Sequence, residues 1–228
     1  PLRRFQRMAI LYPEFPDYSA FRASRSEGPA IVKPPVSTGP LSYRDLGPVN
    51  DDLALLKEAV GAAKAPSAFM TAASPGVIAM FSSESSHYAS EDDYVFALAE
   101  AMKPEYEAIA KAGITLQVDC PDLALVKRMV YDGQGTDPLR IAARNIDALN
   151  HAIGAIPGDR VRLHLCWGNY AGPHTHDLPV AELFPLLRQT KVRALSFEAA
   201  NPRHEHEWED WKRSGLPDDM ILIPGVID

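Results

Sequence analysis

Short apolar, strand-like segments alternate with amphipathic helical segments along most of this chain. The strand-like segments are SAFMTAASPG, ITLQVDCPD, RVRLHLCWG, RALSFEAANP and MILIPGV. Short strands that are separated by one helix each are typical of βαβ units, whose strands lie parallel in a single sheet. This alternation constrains the fold more than any other feature of the sequence, and it predicts an α/β architecture.

Capping signals mark the starts of the helices between these strands. Asn50 precedes apolar residues at helical spacing, and we expect it to cap that helix. Ser90 and Asp93 form a capping-box pattern before the longest helical segment. The segment from Asp137 to Ile153 carries one continuous apolar stripe, which predicts a helix that packs on the sheet.

The absence of phosphate-binding patterns narrows the fold class further. Neither G-x-G-x-x-G nor a P-loop follows any predicted strand, which favours a TIM-barrel-like (β/α)8 fold over a nucleotide-binding doubly wound sheet. The run AIVKPPVSTGP before the first of these helices adds a sixth strand, so we expect about six of the eight strands of a barrel. With 228 residues, of which 46% are hydrophobic, the chain is expected to form one domain over residues 1–228.

Charge and cysteine content exclude several classes of partner. A net charge of -7 with singly scattered basic residues argues against nucleic acid. No apolar run approaches the roughly 18 residues of a membrane span. The 2 cysteines form no disulfide framework and suit a reducing compartment. We therefore expect a cytoplasmic protein whose partners are small molecules.

His164 and Cys166 stand two residues apart at the end of a predicted strand. Residues at this spacing project from the same face of a strand, so both side chains could reach one metal ion, although an isolated H-x-C is more often packed in a core. Polar residues also end the neighbouring strands, at Asp119 and Glu198. Strand ends converge at one mouth of a barrel, which makes Glu198 a natural third ligand. The N, S and O donors suit zinc and leave a fourth position open for substrate.

Several of these segments together resemble a known family. The motifs HLCWGN, SFEAANPRHEHEW, LQVDCPDLA, VSTGP and IPGVID are similar to those of the catalytic barrel of cobalamin-independent methionine synthases, especially of their single-barrel relatives. The resemblance implies that His164, Cys166 and Glu198 bind Zn2+ and that Asp119 holds the amino group of homocysteine. The resemblance also implies transfer of a methyl group to the thiol of homocysteine, from 5-methyltetrahydrofolate or another methyl donor.

The family pattern includes two motifs that this sequence lacks. The first strand with its G-S motif and the last strand with a second cysteine ligand in D-C-G are both missing. We therefore expect an incomplete barrel that binds zinc weakly or not at all as a 228-residue chain. Unpaired strand edges would favour association into a homo-oligomer. Cys120 follows Asp119 directly, so it is expected to point into the barrel wall instead of replacing the second cysteine.

Two other functions are compatible with the same motifs. One is a zinc-dependent alkyl transferase that acts on another thiol of the coenzyme M type, since the H-x-C strand would serve either acceptor. Asp119 favours an amino thiol over this alternative. The other is a non-catalytic fragment or one half of a split enzyme.

Residues near these motifs have simpler interpretations. We expect His174 and His176 in a solvated loop, and the glutamates of HEHE on the acidic first turn of a helix. Core packing is the expected role of Trp167. Asn201 and Arg203 are candidates for hydrogen bonding around Glu198.

Overall fold

The structure is a computed structural model, which describes residues 14–25, 35–82, 85–129, 137–168 and 172–227. One five-stranded parallel sheet is present in this part of the chain, and its strands lie in sequence order. The strands are β1 (Phe69–Ala73), β2 (Thr115–Asp119), β3 (Val161–His164), β4 (Ala194–Glu198) and β5 (Ile221–Gly225). The predicted α/β architecture with parallel strands is confirmed.

The strand predicted in AIVKPPVSTGP is the sixth of the expected set. Its residues 30–34 lie outside the described residues, and residues 35–40 form neither helix nor strand. The described part of the chain is therefore an open sheet with β1 and β5 at its edges.

Two helices precede the first strand, and the others occupy the connections between the strands. They are α1 (Pro16–Arg25), α2 (Gly47–Ala63), α3 (Pro75–Phe81), α4 (Glu91–Lys111), α5 (Pro121–Ala124), α6 (Val126–Met129), α7 (Pro138–Ile153), α8 (Val180–Leu187) and α9 (Trp208–Lys212). Two short 3-10 turns, Gly158–Arg160 and Glu205–Glu207, precede β3 and α9. Of these helices in the described residues, none combines the length and apolar character needed to cross a membrane.

Side chains cap the starts of two predicted helices, α4 and α7. The Ser90 hydroxyl accepts a hydrogen bond from the Asp93 backbone N–H at 3.0 Å. The Asp137 carboxylate accepts one from the Leu139 N–H, also at 3.0 Å. Both bonds satisfy an N–H group that the first turn of a helix leaves without a partner. The capping signal predicted for α4 is therefore confirmed, whereas the cap of α7 by Asp137 was not predicted.

Two other helix starts differ from the prediction. The Asn50 cap is wrong, because α2 already begins at Gly47 and includes Pro48 in its first turn. Proline suits that position since its missing N–H would have no partner there anyway. Helix α3 was not predicted at all, because Pro75 and Gly76 were read as the turn after β1. Instead, the Ser74 hydroxyl caps it.

The two faces of the sheet differ in composition. The face that packs against the helices, here called the outer face, is apolar and buried: Leu116, Val118, Leu163, Leu165, Leu195 and Phe197. The opposite or inner face is mostly polar and half-buried: Gln117, Asp119, Arg162, His164, Ser196 and Glu198. The apolar stripe of α7 and the buried face of α4 complete the core on the outer side.

Three buried, hydrogen-bonded side chains hold the helices together at the carboxyl end of the sheet. The Asp122 carboxylate accepts hydrogen bonds from the Ser74 hydroxyl and from the Asn145 amide, the latter at 2.9 Å. Gly76 lies against this carboxylate, and a Cβ atom at that position would stand only 2.0 Å from Asp122 Oδ2. The glycine is therefore required by close packing, and the Asp122 carboxylate stabilises the packing of these helices.

Candidate metal and substrate site

The strand register brings the predicted site residues to one face of the sheet. Asp119 pairs with His164, and His164 pairs with Ser196 on the next strand. Residues paired across neighbouring strands project to the same side, as do residues two apart along a strand. Glu198 is two residues beyond Ser196, so it shares the inner face with Asp119 and His164.

The H-x-C segment continues this arrangement beyond the end of β3. The Leu165 N–H still donates to the Ser196 carbonyl at 2.8 Å, so strand pairing extends one residue past His164. Leu165 is fully buried in the core, whereas His164 and Cys166 on either side of it are half-buried. Alternation along the segment therefore directs the histidine and the cysteine to the same side.

The electrostatic surroundings of Cys166 are negative. Burial is the main cause that raises the pKa of this thiol, and the carboxylates of Glu198, Asp119 and Asp177 raise it further. A hydrogen bond from the Gly168 N–H to the sulfur, at 3.2 Å, acts in the opposite direction. Without a cation nearby the thiol therefore stays protonated at neutral pH, and a bound cation would be favoured by all three carboxylates.

Two predicted ligands have buried atoms that lack a partner. His164 Nδ1 and Glu198 Oε2 are both buried without a hydrogen bond among the described residues. Buried polar atoms are nearly always hydrogen-bonded. Two unpaired buried atoms on the neighbouring strands β3 and β4 therefore indicate a binding partner outside the described side chains. Together with the Cys166 sulfur they form an N, O and S donor set, which fits zinc. Across the described ranges, however, no three His, Cys, Asp or Glu side chains are grouped closely enough to hold a metal ion.

Asp119 is oriented by a row of hydrogen-bonded side chains that was not identified from the sequence. Gln117 Nε2 donates to Asp119 Oδ1 at 2.7 Å, and Gln117 Oε1 accepts from Arg162 Nε at 2.6 Å. The Arg162 guanidinium lies 3.4 Å from the centroid of the Phe69 ring. The polar residues at a spacing of two on both β2 and β3 were the sequence signal that could have revealed this row of hydrogen bonds.

The loops after β3 and β4 contain a second group of polar residues, here called the loop cluster: His174, Asp177, His204 and Glu207. His174 Nδ1 lies 2.6 Å from Asp177 Oδ2. His204 Nε2 lies 3.5 Å from the same oxygen, and His204 Nδ1 lies 3.1 Å from Glu207 Oε2. All four side chains are buried, with exposed fractions of 5–8%.

The loop cluster corrects two expectations from the sequence. His174 is not in a solvated position, since its side chain is only 5% exposed. Glu207 is not on a solvated helical turn either, because it is buried and accepts a hydrogen bond from the Val180 N–H at 2.9 Å. Trp167, in contrast, is fully buried as expected. The two halves of the cluster, His174 with Asp177 and His204 with Glu207, are far apart along the chain, so no local spacing pattern indicated that they meet.

Comparison with known proteins identifies the fold. No family model and no curated protein matches this chain. Among the solved structures that match is a B12-independent methionine synthase from Shewanella sp. W3-18-1 in complex with selenomethionine, with a TM-score of 0.60 and 20% sequence identity. The match covers 85% of this chain and 52% of that chain, so this chain spans about half the length of its structural neighbour. The two proteins therefore share a fold over nearly all of this chain.

Proposed function

We propose that this chain carries the metal and acceptor site of a zinc-dependent methyltransferase that acts on an amino thiol such as homocysteine. The observation that carries this proposal is the convergence of Asp119, His164, Cys166 and Glu198 on one face at the carboxyl ends of three adjacent strands. The carboxyl ends of parallel strands are where (β/α) folds place their active sites. The structural likeness to a methionine synthase supports the same assignment.

His164, Cys166 and Glu198 would hold the metal ion. Their unpartnered nitrogen and oxygen atoms and the negative surroundings of the thiol support this role. When bound, zinc would deprotonate the acceptor thiol and so supply a nucleophilic sulfur for methyl transfer. Three protein ligands would leave one coordination position for that thiol.

Asp119 would fix the amino group of the acceptor. Gln117 occupies its Oδ1 atom, whereas Oδ2 has no hydrogen bond to any residue within the described ranges. A carboxylate that is held in place with one free oxygen can accept a charge-assisted hydrogen bond from an ammonium group. The amino-acid ligand of the structural neighbour, selenomethionine, supports an acceptor of this class. This role favours homocysteine over a thiol of the coenzyme M type.

A pair of matched thiols tests the acceptor class. Homocysteine and 4-mercaptobutyrate differ only in the amino group, and binding of either to the Co2+-substituted protein can be followed by the thiolate-to-metal absorption band. We expect Asp119→Asn to weaken homocysteine binding by at least about tenfold, the usual effect of losing a hydrogen bond to a charged group. Binding of 4-mercaptobutyrate should stay unchanged. If both thiols bind equally well to the unsubstituted chain, the amino-thiol proposal is wrong.

A further inference from the structure

Trp167 links the proposed metal ligands to the loop cluster. It directly follows Cys166, is fully buried, and donates from its indole Nε1 to the Leu178 carbonyl at 2.8 Å. Its ring stacks on the His204 imidazole, with centroids 4.2 Å apart and an angle of 30° between the planes. His204 belongs to the loop that follows Glu198, so this stacking joins the segment that carries Cys166 to the loop after β4.

His204 makes a second connection between the same loops. Its Nε2 lies 3.5 Å from Oδ2 of Asp177 in the loop after β3, an ion-pair contact that does not meet hydrogen-bond geometry. Its Nδ1 faces Glu207, whose other carboxylate oxygen accepts from the Val180 N–H at the start of α8. His174 binds the same Asp177 oxygen from within the first loop. The imidazole therefore contacts a carboxylate of each loop, Asp177 after β3 and Glu207 after β4.

The charge of the cluster makes this connection strong. Burial alone would lower the pKa of His204, but the carboxylates of Asp177 and Glu207 outweigh it and raise the pKa to about 9. The imidazole is thus a cation at neutral pH, between two buried anions. Removing one member of such a buried group leaves the others without compensation, so the group resists being pulled apart.

We propose that His204 is a positioning residue that fixes the spacing between Cys166 and Glu198, by tying together the two loops that follow β3 and β4. This inference rests on the proposed function, in which those two residues bind zinc. Partners that orient metal ligands without touching the metal commonly change its affinity by 10–100-fold. A spacing fixed by a buried ion pair instead of by the ligands themselves would keep the site assembled before the metal arrives.

The test compares His204→Gln with His206→Gln, which changes an exposed histidine in the same turn. Hydrogen exchange of the metal-free protein is measured by mass spectrometry over residues 172–180 and 199–207, with β3 and β4 as internal references. We expect His204→Gln to accelerate exchange in both loops and to leave the strands unchanged. It should also weaken Co2+ binding by about tenfold and shift the thiolate-to-Co2+ absorption band. His206→Gln should change none of these quantities.

Each other outcome overturns the inference. Faster exchange in only one loop would mean that His204 does not couple them, and faster exchange in the strands as well would indicate a general loss of stability. Unchanged loops with unchanged Co2+ affinity would contradict the positioning role directly. If His204→Gln does not fold, Glu207→Gln removes one arm of the same connection and is judged by the same criteria. Absence of any Co2+ band in the unsubstituted protein would refute the proposed function, while the exchange data still decide whether His204 couples the loops.

Discussion

The two faces of the sheet use the same residue types for different purposes. Cys120 on the outer side is 1% exposed, and burial raises the pKa of its thiol well above the ordinary value. Cys166 at the inner face is half-buried and lies near three carboxylates. The carboxylates show a similar contrast. Asp122 holds helices together, whereas Asp119 at the end of β2 has one oxygen without a hydrogen bond to the described part of the chain.

This contrast teaches that position on the sheet, more than residue type, decides what a side chain does here. Residues on the outer face are enclosed by the helices, so their removal leaves a cavity or an unpaired polar group. Most residues on the inner face are half-buried, and His164 Nδ1 and Glu198 Oε2 have no hydrogen bond within the described residues. The outer face should therefore determine stability, and the inner face should determine binding.

The largest expected effect concerns two adjacent residues of β3. Leu163→Ala, on the outer face, should lower the free energy of unfolding by about 2–5 kcal/mol, because it leaves a cavity in a close-packed core. His164→Gln, on the inner face, should change it by less than about 1 kcal/mol, since the Nδ1 atom that it removes has no partner to lose. Urea denaturation of both variants measures the difference. Equal destabilisation by the two substitutions would contradict the division between the faces.

A smaller effect concerns the pH dependence of stability. Burial raises the pKa of Asp122 from 3.8 to about 6, despite hydrogen bonds from Ser74 and Asn145 that lower it. The folded protein therefore holds this proton more tightly than the unfolded chain does. Protonation of Asp122 thus contributes to the free energy of unfolding below about pH 4, and this contribution is lost as the pH rises through 6. The loss corresponds to roughly 3 kcal/mol, at about 1.4 kcal/mol for each pKa unit.

Asp122→Asn isolates this contribution, because the amide does not titrate. The free energy of unfolding of the unsubstituted protein, minus that of the variant, should fall between pH 4 and pH 7 and then level off. Urea denaturation at a series of pH values provides both curves. A difference that stays constant over this range would mean that Asp122 titrates in the same way in the folded and unfolded states.

The smallest effect is the difference in reactivity between the two thiols. Iodoacetamide should modify Cys166 at least about tenfold faster than Cys120 in the native protein, since the Cys120 sulfur becomes accessible only when the core opens. In denaturant the two rates should become similar. Peptide mass spectrometry of the alkylated protein distinguishes the sites, and Cys166→Ser confirms the assignment. Faster alkylation of Cys120 would place that residue, and not Cys166, on the accessible face.

The sequence predicted those parts of the molecule that depend on local patterns. Parallel strands, the cap at Ser90, the helix of the apolar stripe that ends at Ile153, and the opposite orientations of Cys120 and Asp119 all follow from periodicity or from single side chains at fixed spacing. Helix α3 was missed because Pro75 and Gly76 are as typical of a turn as of the first turn of a helix.

Features that depend on long-range packing were not predictable in this way. The loop cluster joins His174 and Asp177 to His204 and Glu207 across an intervening helix and strand. Nothing local indicates that these residues meet, because charged residues in loops are most often solvated. The metal ligands themselves remain a prediction, supported by their shared face and by two unpartnered atoms.

Zinc affinity tests the central claim most directly. The unsubstituted chain is titrated with Zn2+ against a chromophoric chelator, in parallel with Cys166→Ala, Glu198→Ala and, as the control from the outer face, Cys120→Ala. We predict weak binding of one zinc ion, an affinity at least about tenfold lower in Cys166→Ala and Glu198→Ala, and no change in Cys120→Ala. Equal affinity in the unsubstituted chain and in Cys166→Ala, including no binding by either, would contradict the account and leave His164 and Cys166 as core residues.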